Sequence, residues 1–201
     1  MTYLEPNNNI YVLGHARPLL QKEIKNSKSV TAVIEMVNNS VFIVSDKSEK
    51  ELIEYILNVK KQIGDIPAGY VDAYYEFPKR PKLTDSCDII LANCYPYWEG
   101  CSLEYSLMYM KQMYFEANSA GKGKKVIITE TGWPSQGASL RGAHPSKENA
   151  LKYFINAQNW SFEDNIEMFY FSAFDESWKV GVEGDVGAYW GLWDKDEKLK
   201  F

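Results

Sequence analysis

From about residue 66 onward, strand-like and helix-like stretches alternate, and that alternation restricts the chain to folds that lay helices against a parallel sheet. The strands fall at Ala68 to Tyr74, Asp88 to Asn93, Lys125 to Thr129 and Met168 to Phe174. Ser48 to Ile63 reads as an amphipathic helix. It opens on a capping box, Ser48 with Glu51, and carries Leu52, Ile53, Ile56, Leu57 and Ile63 along one side before Gly64. Leu103 to Ala117 and Ser146 to Trp160 behave alike, the second with Ser146 as N-cap and Ala150, Leu151, Phe154 and Ile155 facing inward. Asn8 to Gly14 and Val30 to Val37 read as two further strands, with a brief helix around Leu19, Leu20 and Ile24 between them. Asn7-Asn8-Asn9 and Asn38-Asn39 read as turns. Six strands with helices between them point to an α/β chain of (β/α)₈ barrel type. Such barrels typically run to about 250 residues, so roughly two βα units at the amino-terminal side are expected to be missing. With 45% apolar residues in a 201-residue chain, one core and a single (partial) domain over 1–201 are expected.

The charge balance narrows the partners. A formal net charge of −5 without a basic run excludes a nucleic-acid footprint and disfavours a polyanionic substrate. No apolar run approaches the length of a membrane span, and the first residues form neither a charged leader nor a signal core, so neither membrane insertion nor export is encoded and the compartment stays unknown. Cys87, Cys94 and Cys101 are odd in number and match no zinc spacing. They read as free, mostly buried thiols, and no metal or other cofactor is expected. His15 and His144 sit in no activating context, which disfavours Ser-His catalysis. What remains is a neutral substrate, and 14 Tyr with 6 Trp supply aromatic faces with polar edges of the kind that bind sugars.

The polar chemistry concentrates at strand ends. In Val126-Ile127-Ile128-Thr129-Glu130-Thr131-Gly132-Trp133-Pro134-Ser135, a strand buried on both faces is stopped by Gly132 and Pro134, so Glu130 falls at or near its carboxyl end. In parallel α/β folds that end faces the active site. The strand ending at Asn93 runs into Tyr95, Pro96, Tyr97, Trp98, Glu99 and Gly100, where the breakers let the aromatic residues emerge as sugar platforms. The strand ending at Phe174 runs into Asp175, Glu176, Trp178 and Lys179. A Lys and a second carboxylate beside a nucleophile can hold it ionised and aimed, or bind sugar hydroxyls. An ordinary rim ion pair between Glu176 and Lys179 is the plainer alternative. Glu99 is expected on the loop, facing solvent.

The segments Asp88 to Gly100, Val126 to Gln136, Phe169 to Lys179 and Gly187 to Leu192 resemble glycoside hydrolase family 17, the β-1,3-glucanase family, and in particular its bacterial-type members, over about residues 50 to 198. The resemblance implies a retaining hydrolase of β-1,3-glucan with Glu130 as catalytic nucleophile. It also implies a substrate-binding cluster of Asn93, Tyr95, Tyr97, Trp98, Trp133, Glu176, Trp178 and Lys179. Members of the family are often secreted. Retention needs a second carboxyl group about 5 to 5.5 Å from the first. The family places it in a Gly-Asn-Glu element at the end of an earlier strand, and in the matching stretch, Met36 to Phe42, Ser40 stands where that acid belongs. Glu35, the nearest acidic residue, reaches the position only through a shift of several residues. The resemblance therefore implies impaired turnover, with a non-catalytic glucan-binding pseudoenzyme and a glucan transglycosylase as the competing readings. Open barrel edges left by missing units imply self-association.

Overall fold

In the computed structural model, backbone is described for residues 10–12, 36–37, 40–43, 48–180 and 183–201, and side chains for 48–180 and 183–201. The elements in chain order are strands β1 (Ile10–Val12), β2 (Met36–Val37) and β3 (Ser40–Ile43), helix α1 (Glu49–Ile63) and strand β4 (Ala68–Ala73). Two short helices follow, α2 (Glu76–Lys79) and α3 (Pro81–Ser86). Then come β5 (Ile89–Asn93), α4 (Leu103–Gly121), β6 (Lys125–Thr131), α5 (Lys147–Glu163) and β7 (Met168–Tyr170). They form two compact units, one of residues 15–93 and 113–127, the other of 1–14, 94–112 and 128–201, and both α4 and β6 run from one into the other. The short helix expected around Leu19 to Ile24, the Asn-rich turns and Glu35 lie outside the described residues.

In the first unit β3, β4 and β5 pair in parallel, with Val41 opposite Ala68 and Gly69 opposite Ile89, while β2 adds antiparallel to β3. Helix α1 starts where its sequence signal puts it. The Ser48 side chain accepts from the Glu51 backbone N–H, and the Glu51 carboxylate accepts from the Ser48 N–H at 3.0 Å, so both halves of the capping box form. A narrower stripe than expected is buried. Leu52 and Ile56 are fully covered, while Leu57 is exposed, because it falls about 100° around the helix from Ile56. The connection between β4 and β5 holds α2 and α3, which the 3.6-residue periodicity does not announce because each is too short to show it. Phe77 and Leu83 anchor them in the core.

In the second unit β7 pairs in parallel with both β1 and β6. Ser146 caps α5 by accepting from the Asn149 N–H at 3.0 Å. The buried side of α5 carries Ala150, Tyr153, Ala157, Trp160 and Ser161, whereas Ile155, expected inward, is exposed. Large aromatic residues at 153 and 160 set which face docks. Strand β7 is also shorter than the expected run to Phe174. After Tyr170 its backbone leaves the ladder: Phe171 N–H donates to Thr131 O at 2.7 Å, and Ser172 N–H turns to Trp190 O at 3.1 Å. Residues 172–175 then pair with 190–193, through Trp193 N–H to Ala173 O and Asp175 N–H to Trp193 O, both at 2.9 Å. Among the described residues, no helix is long and apolar enough to cross a membrane. Cys87 and Cys94 are buried and Cys101 partly so, and burial pushes all three thiols above their ordinary range.

Candidate active site

Glu130 is the penultimate residue of β6, and the ladder beside it is irregular. Ile128 pairs with Met168 and Thr131 with Tyr170, so three steps along β6 match two along β7. The register therefore shifts by one residue beside Glu130, the kind of irregularity that bends a strand and is found next to active sites. The neighbours are fixed on the other side of the strand, as the two-residue period requires. Thr131 is fully buried and shares a hydrogen bond with the Tyr153 hydroxyl. Trp133 is 1% exposed and donates its indole N–H to His144 O at 3.0 Å. Ser135 donates its backbone N–H to Tyr189 O at 2.9 Å. Gly132 lies between them because an added Cβ would collide with the Phe171 carbonyl oxygen.

The Glu130 carbonyl accepts from Cys94 N–H at 2.9 Å, and this brings the next residue of the loop over the carboxylate. Tyr95 donates its hydroxyl to Glu130 Oε2 at 3.1 Å. Burial holds the Tyr95 phenol well above its ordinary value, and the negative charge of Glu130 and the hydrogen bond to it push it further, so Tyr95 stays a donor at neutral pH. The Tyr95 ring packs edge-on against Trp190 at 5.5 Å between centroids, and Trp190 touches Phe171 at 6.2 Å. Over the Phe171 ring, at 4.0 Å from its centroid, sits the ammonium of Lys179. Lys179 is nearly buried, bonds Glu176 Oε2 at 2.7 Å, and lies 3.6 Å from Glu183 Oε1. Tyr95, Trp190, Phe171 and Lys179 thus form one continuous wall from Glu130 to Glu176. A cation and a hydroxyl donor facing two carboxylates can hold one carboxylate ionised for attack and position sugar hydroxyls against the other.

The remaining candidates divide by exposure. Trp98 is 42% exposed and Trp178 57%, so both present open indole faces. Tyr97 and Trp133, read from sequence as sugar platforms, are each 1% exposed, with their polar edges already used: the Tyr97 hydroxyl donates to Ala138 O at 3.0 Å, and the rings pack on each other at 5.6 Å. They form the floor under Trp98 and Trp190 rather than a face open to a ligand. Asn93 ends β5 with its carbonyl accepting from Tyr74 N–H at 3.2 Å. Ser40 opens β3 and pairs with Val37. A strand, β2, does end at Val37, but Ser40 itself begins β3, at the amino end of a strand parallel to β4, whereas the expected acid position follows a strand's carboxyl end. Glu99, expected in solvent, is partly covered.

Three participants escape sequence reasoning. Trp190 sits inside a recognisable motif, yet its contacts with Tyr95, Tyr97, Trp98 and Phe171 need the folded chain. Glu183 lies on a loop with no pattern of its own. Lys200 is buried and donates to Asp175 Oδ1 and Ser135 Oγ, each at 2.7 Å, and to Tyr189 O at 3.3 Å. Burial lowers its pKa and the Asp175 carboxylate opposes that shift. Its only sequence signal is a cation between two apolar residues, Leu199 and Phe201.

Comparison with known proteins gives the chain a family. A family model described as the BtgE/BtgC glycoside hydrolase domain matches residues 15–191. The glucan 1,3-beta-glucosidase of Candida albicans is 27% identical over 222 residues, covering 98% of this chain and 70% of that protein. The crystal structure of a glycoside hydrolase family 17 beta-1,3-glucanosyltransferase from Rhizomucor miehei is similar with a TM-score of 0.70 and 33% identity, covering 78% of this chain and 57% of that one. An active-site mutant of that transferase in complex with laminaritriose gives a TM-score of 0.71 at 32% identity, with the same coverage. The chain therefore spans little more than half the length of the solved structures it matches. The fold class shared with them is α/β of the TIM-barrel type. With the family model matched over most of its length, the chain belongs to glycoside hydrolase family 17, through the BtgE/BtgC glycoside hydrolase domain.

Proposed function

We propose that this chain acts on β-1,3-glucan through a covalent glycosyl-enzyme formed on Glu130. The observation that carries the reading is the Tyr95 hydroxyl bonded at 3.1 Å to the Glu130 carboxylate, beside a register shift between β6 and β7. In this reaction a Glu130 oxygen attacks the anomeric carbon, the glycosidic C–O bond breaks, and the leaving oxygen takes up a proton. Water or an incoming sugar hydroxyl then cleaves the ester and gives up a proton, so the anomeric configuration is retained. Lys179 and Glu176 hold sugar hydroxyls and keep the site's charge balanced, and Trp98 and Trp178 offer their exposed faces to sugar rings. Tyr97 and Trp133 support these groups from beneath.

The resemblance puts Ser40 where the acid belongs, and the structure places that residue at the amino end of β3, so neither supplies the acid and the two halves of the first step separate. An aryl laminarioside, whose leaving group needs no proton, forms the glycosyl-enzyme readily. Laminarin, with a sugar hydroxyl as leaving group, is cleaved more slowly by about 10² to 10⁴. The test is to trap the intermediate with a fluoro-substituted laminarioside and locate the label by peptide mass. Label on Glu130, lost in Glu130→Gln, is the expected result, and label on Glu176 or Glu99 overturns the assignment. Laminarin cleaved as fast as the aryl substrate shows that another carboxyl group, Glu176 first, serves as the acid.

A second reading, glucanosyl transfer, is favoured by the 33% identical Rhizomucor miehei structure, which is named as a transferase. It differs only in the acceptor. The ratio of elongated to hydrolysed products from a laminari-oligosaccharide decides between the two.

A further inference from the structure

The Lys200 ammonium lies outside the wall that faces Glu130, yet it meets three segments that build that wall. It donates to Ser135 Oγ at 2.7 Å, to Asp175 Oδ1 at 2.7 Å and to Tyr189 O at 3.3 Å. An ammonium has three protons, and here there are three acceptors, so the donor capacity is filled. Ser135 lies five residues after Glu130 on the same turn, Asp175 directly precedes Glu176, and Tyr189 directly precedes Trp190. The side chains of Lys200 and Asp175 are 3% and 9% exposed, so little water competes for these bonds.

The connections continue through the backbone. The second acceptor role of Asp175 Oδ1 is filled by Gly191 N–H at 2.9 Å, and Lys200 N–H donates to Leu192 O at 3.0 Å. Ser135 is tied to Tyr189 twice, through its N–H at 2.9 Å and its hydroxyl at 3.1 Å. Gly191 leaves no room for adjustment, since an added Cβ would strike the backbone of Phe174, Asp175 and Trp193. The turn that follows Glu130, the turn that carries Glu176 and Lys179, and the segment that carries Trp190 therefore share one buried cation. None of the three is held to the other two by a disulfide, and β7 has already ended at Tyr170.

We propose that Lys200 is a positioning residue that, by binding Ser135, Asp175 and Tyr189 together, fixes the separation of Glu130 from the Glu176–Lys179 pair. The inference rests on the reading of Glu130 as nucleophile for its catalytic consequence, although not for its geometric one. Lysine suits the task because a compact ammonium on a flexible stem can satisfy acceptors arranged around a point. A residual error of about 1 Å in the placement of reacting groups costs on the order of 10²-fold in rate.

The experiment compares the full chain with the double variant Lys200→Met/Asp175→Asn. Removing the lysine alone would leave a buried carboxylate uncompensated and endanger folding. The double variant removes both charges and keeps the Asp175-to-Gly191 acceptor as an amide oxygen. Three readouts are taken: the thermal midpoint, laminaritriose affinity by calorimetry, and the rate of glycosyl-enzyme formation from an aryl laminarioside. The expected result is glycosylation slowed by about 10²-fold, with laminaritriose affinity changed by less than about threefold, under 1 kcal/mol, and the folded state retained. A double variant that glycosylates at the original rate overturns the proposal, as does one that loses affinity and rate in equal proportion.

A fourth readout does not need turnover. Crystal structures of the full chain and of the double variant give the separation of the Glu130 carboxylate from the Glu176–Lys179 pair directly, and the expected result is a change of about 1 Å. If the unaltered chain proves unable to glycosylate Glu130, the functional reading fails, and that separation alone decides the positioning role. An unchanged separation then overturns it.

Discussion

Replacing Tyr95 by Phe removes one oxygen and leaves the ring that packs edge-on at 5.5 Å against Trp190. What is lost is the 3.1 Å hydrogen bond to Glu130 Oε2. Hydrogen bonds to charged groups contribute about 1.5–3 kcal/mol. This one belongs at the lower end, since O–H···O⁻ bonds of full strength are shorter, about 2.5–2.7 Å. A loss of about 1.5 kcal/mol corresponds to roughly a tenfold fall in the rate of glycosylation. The sign of the pH effect follows from reciprocity. The charge of Glu130 raises the Tyr95 pKa, so the Tyr95 proton must favour the charged form of Glu130. Without it the carboxylate takes up a proton at higher pH, and the acidic limb of the pH–rate profile moves upward. The assay is release of the aryl group from an aryl laminarioside across pH, with the thermal midpoint as a control. Tyr95→Phe acting at the original rate with an unmoved acidic limb would refute the claim that this hydroxyl supports the nucleophile. A collapsed midpoint would instead show that the oxygen matters to the fold.

Two further outcomes follow from packing and burial. Gly132→Ala places a methyl group against the Phe171 carbonyl oxygen and 3.2 Å from the Trp190 ring; because backbone is slow to yield, the cost is about 3 kcal/mol or more, and a calorimetric midpoint unchanged from the parent chain would show that the turn has room. Tyr153 and Tyr170, each 1% exposed, are raised above their ordinary value near 10 by burial, and Tyr95 by burial together with Glu130. Below pH 10 both folded and unfolded chains keep these protons and stability is fully present. Above it the unfolded chain ionises first, so stability falls by about 1.4 kcal/mol per pH unit for each buried tyrosine. Denaturant midpoints followed together with tyrosinate absorbance check this, and ionisation of these tyrosines near pH 10 in the folded chain would contradict it.

Much of the fold was legible because local and periodic signals do not depend on distant residues. The Ser48 capping box, the Ser146 cap and the buried runs of β4, β5 and β6 appear within a residue or two of their sequence positions, β6 ending at Thr131 instead of Thr129. Failures came where a distant segment competes for the backbone. β7 stops at Tyr170 because Thr131 and residues 190–193 take over its hydrogen bonds. The inward face of α5 is set by Tyr153 and Trp160 because they meet partners elsewhere in the chain, which a count of apolar residues along the helix does not register.

The candidate site divides in the same way. The sequence by itself determined that Glu130 stands near the carboxyl end of a buried strand and that Tyr95, Trp98, Glu176, Trp178 and Lys179 follow two other strands, since breakers and β-branched runs place those residues locally. Only the tertiary structure decided which aromatic faces are open. Tyr97 and Trp98 are adjacent, yet one is 1% and the other 42% exposed, because burial depends on what packs opposite and not on residue type. The register shift beside Glu130 exists only as a mismatch between β6 and β7. Lys200 gains its role only when Ser135, Asp175 and Tyr189 are brought around it, and a hydrogen bond between residues 65 apart leaves no periodic trace in a chain.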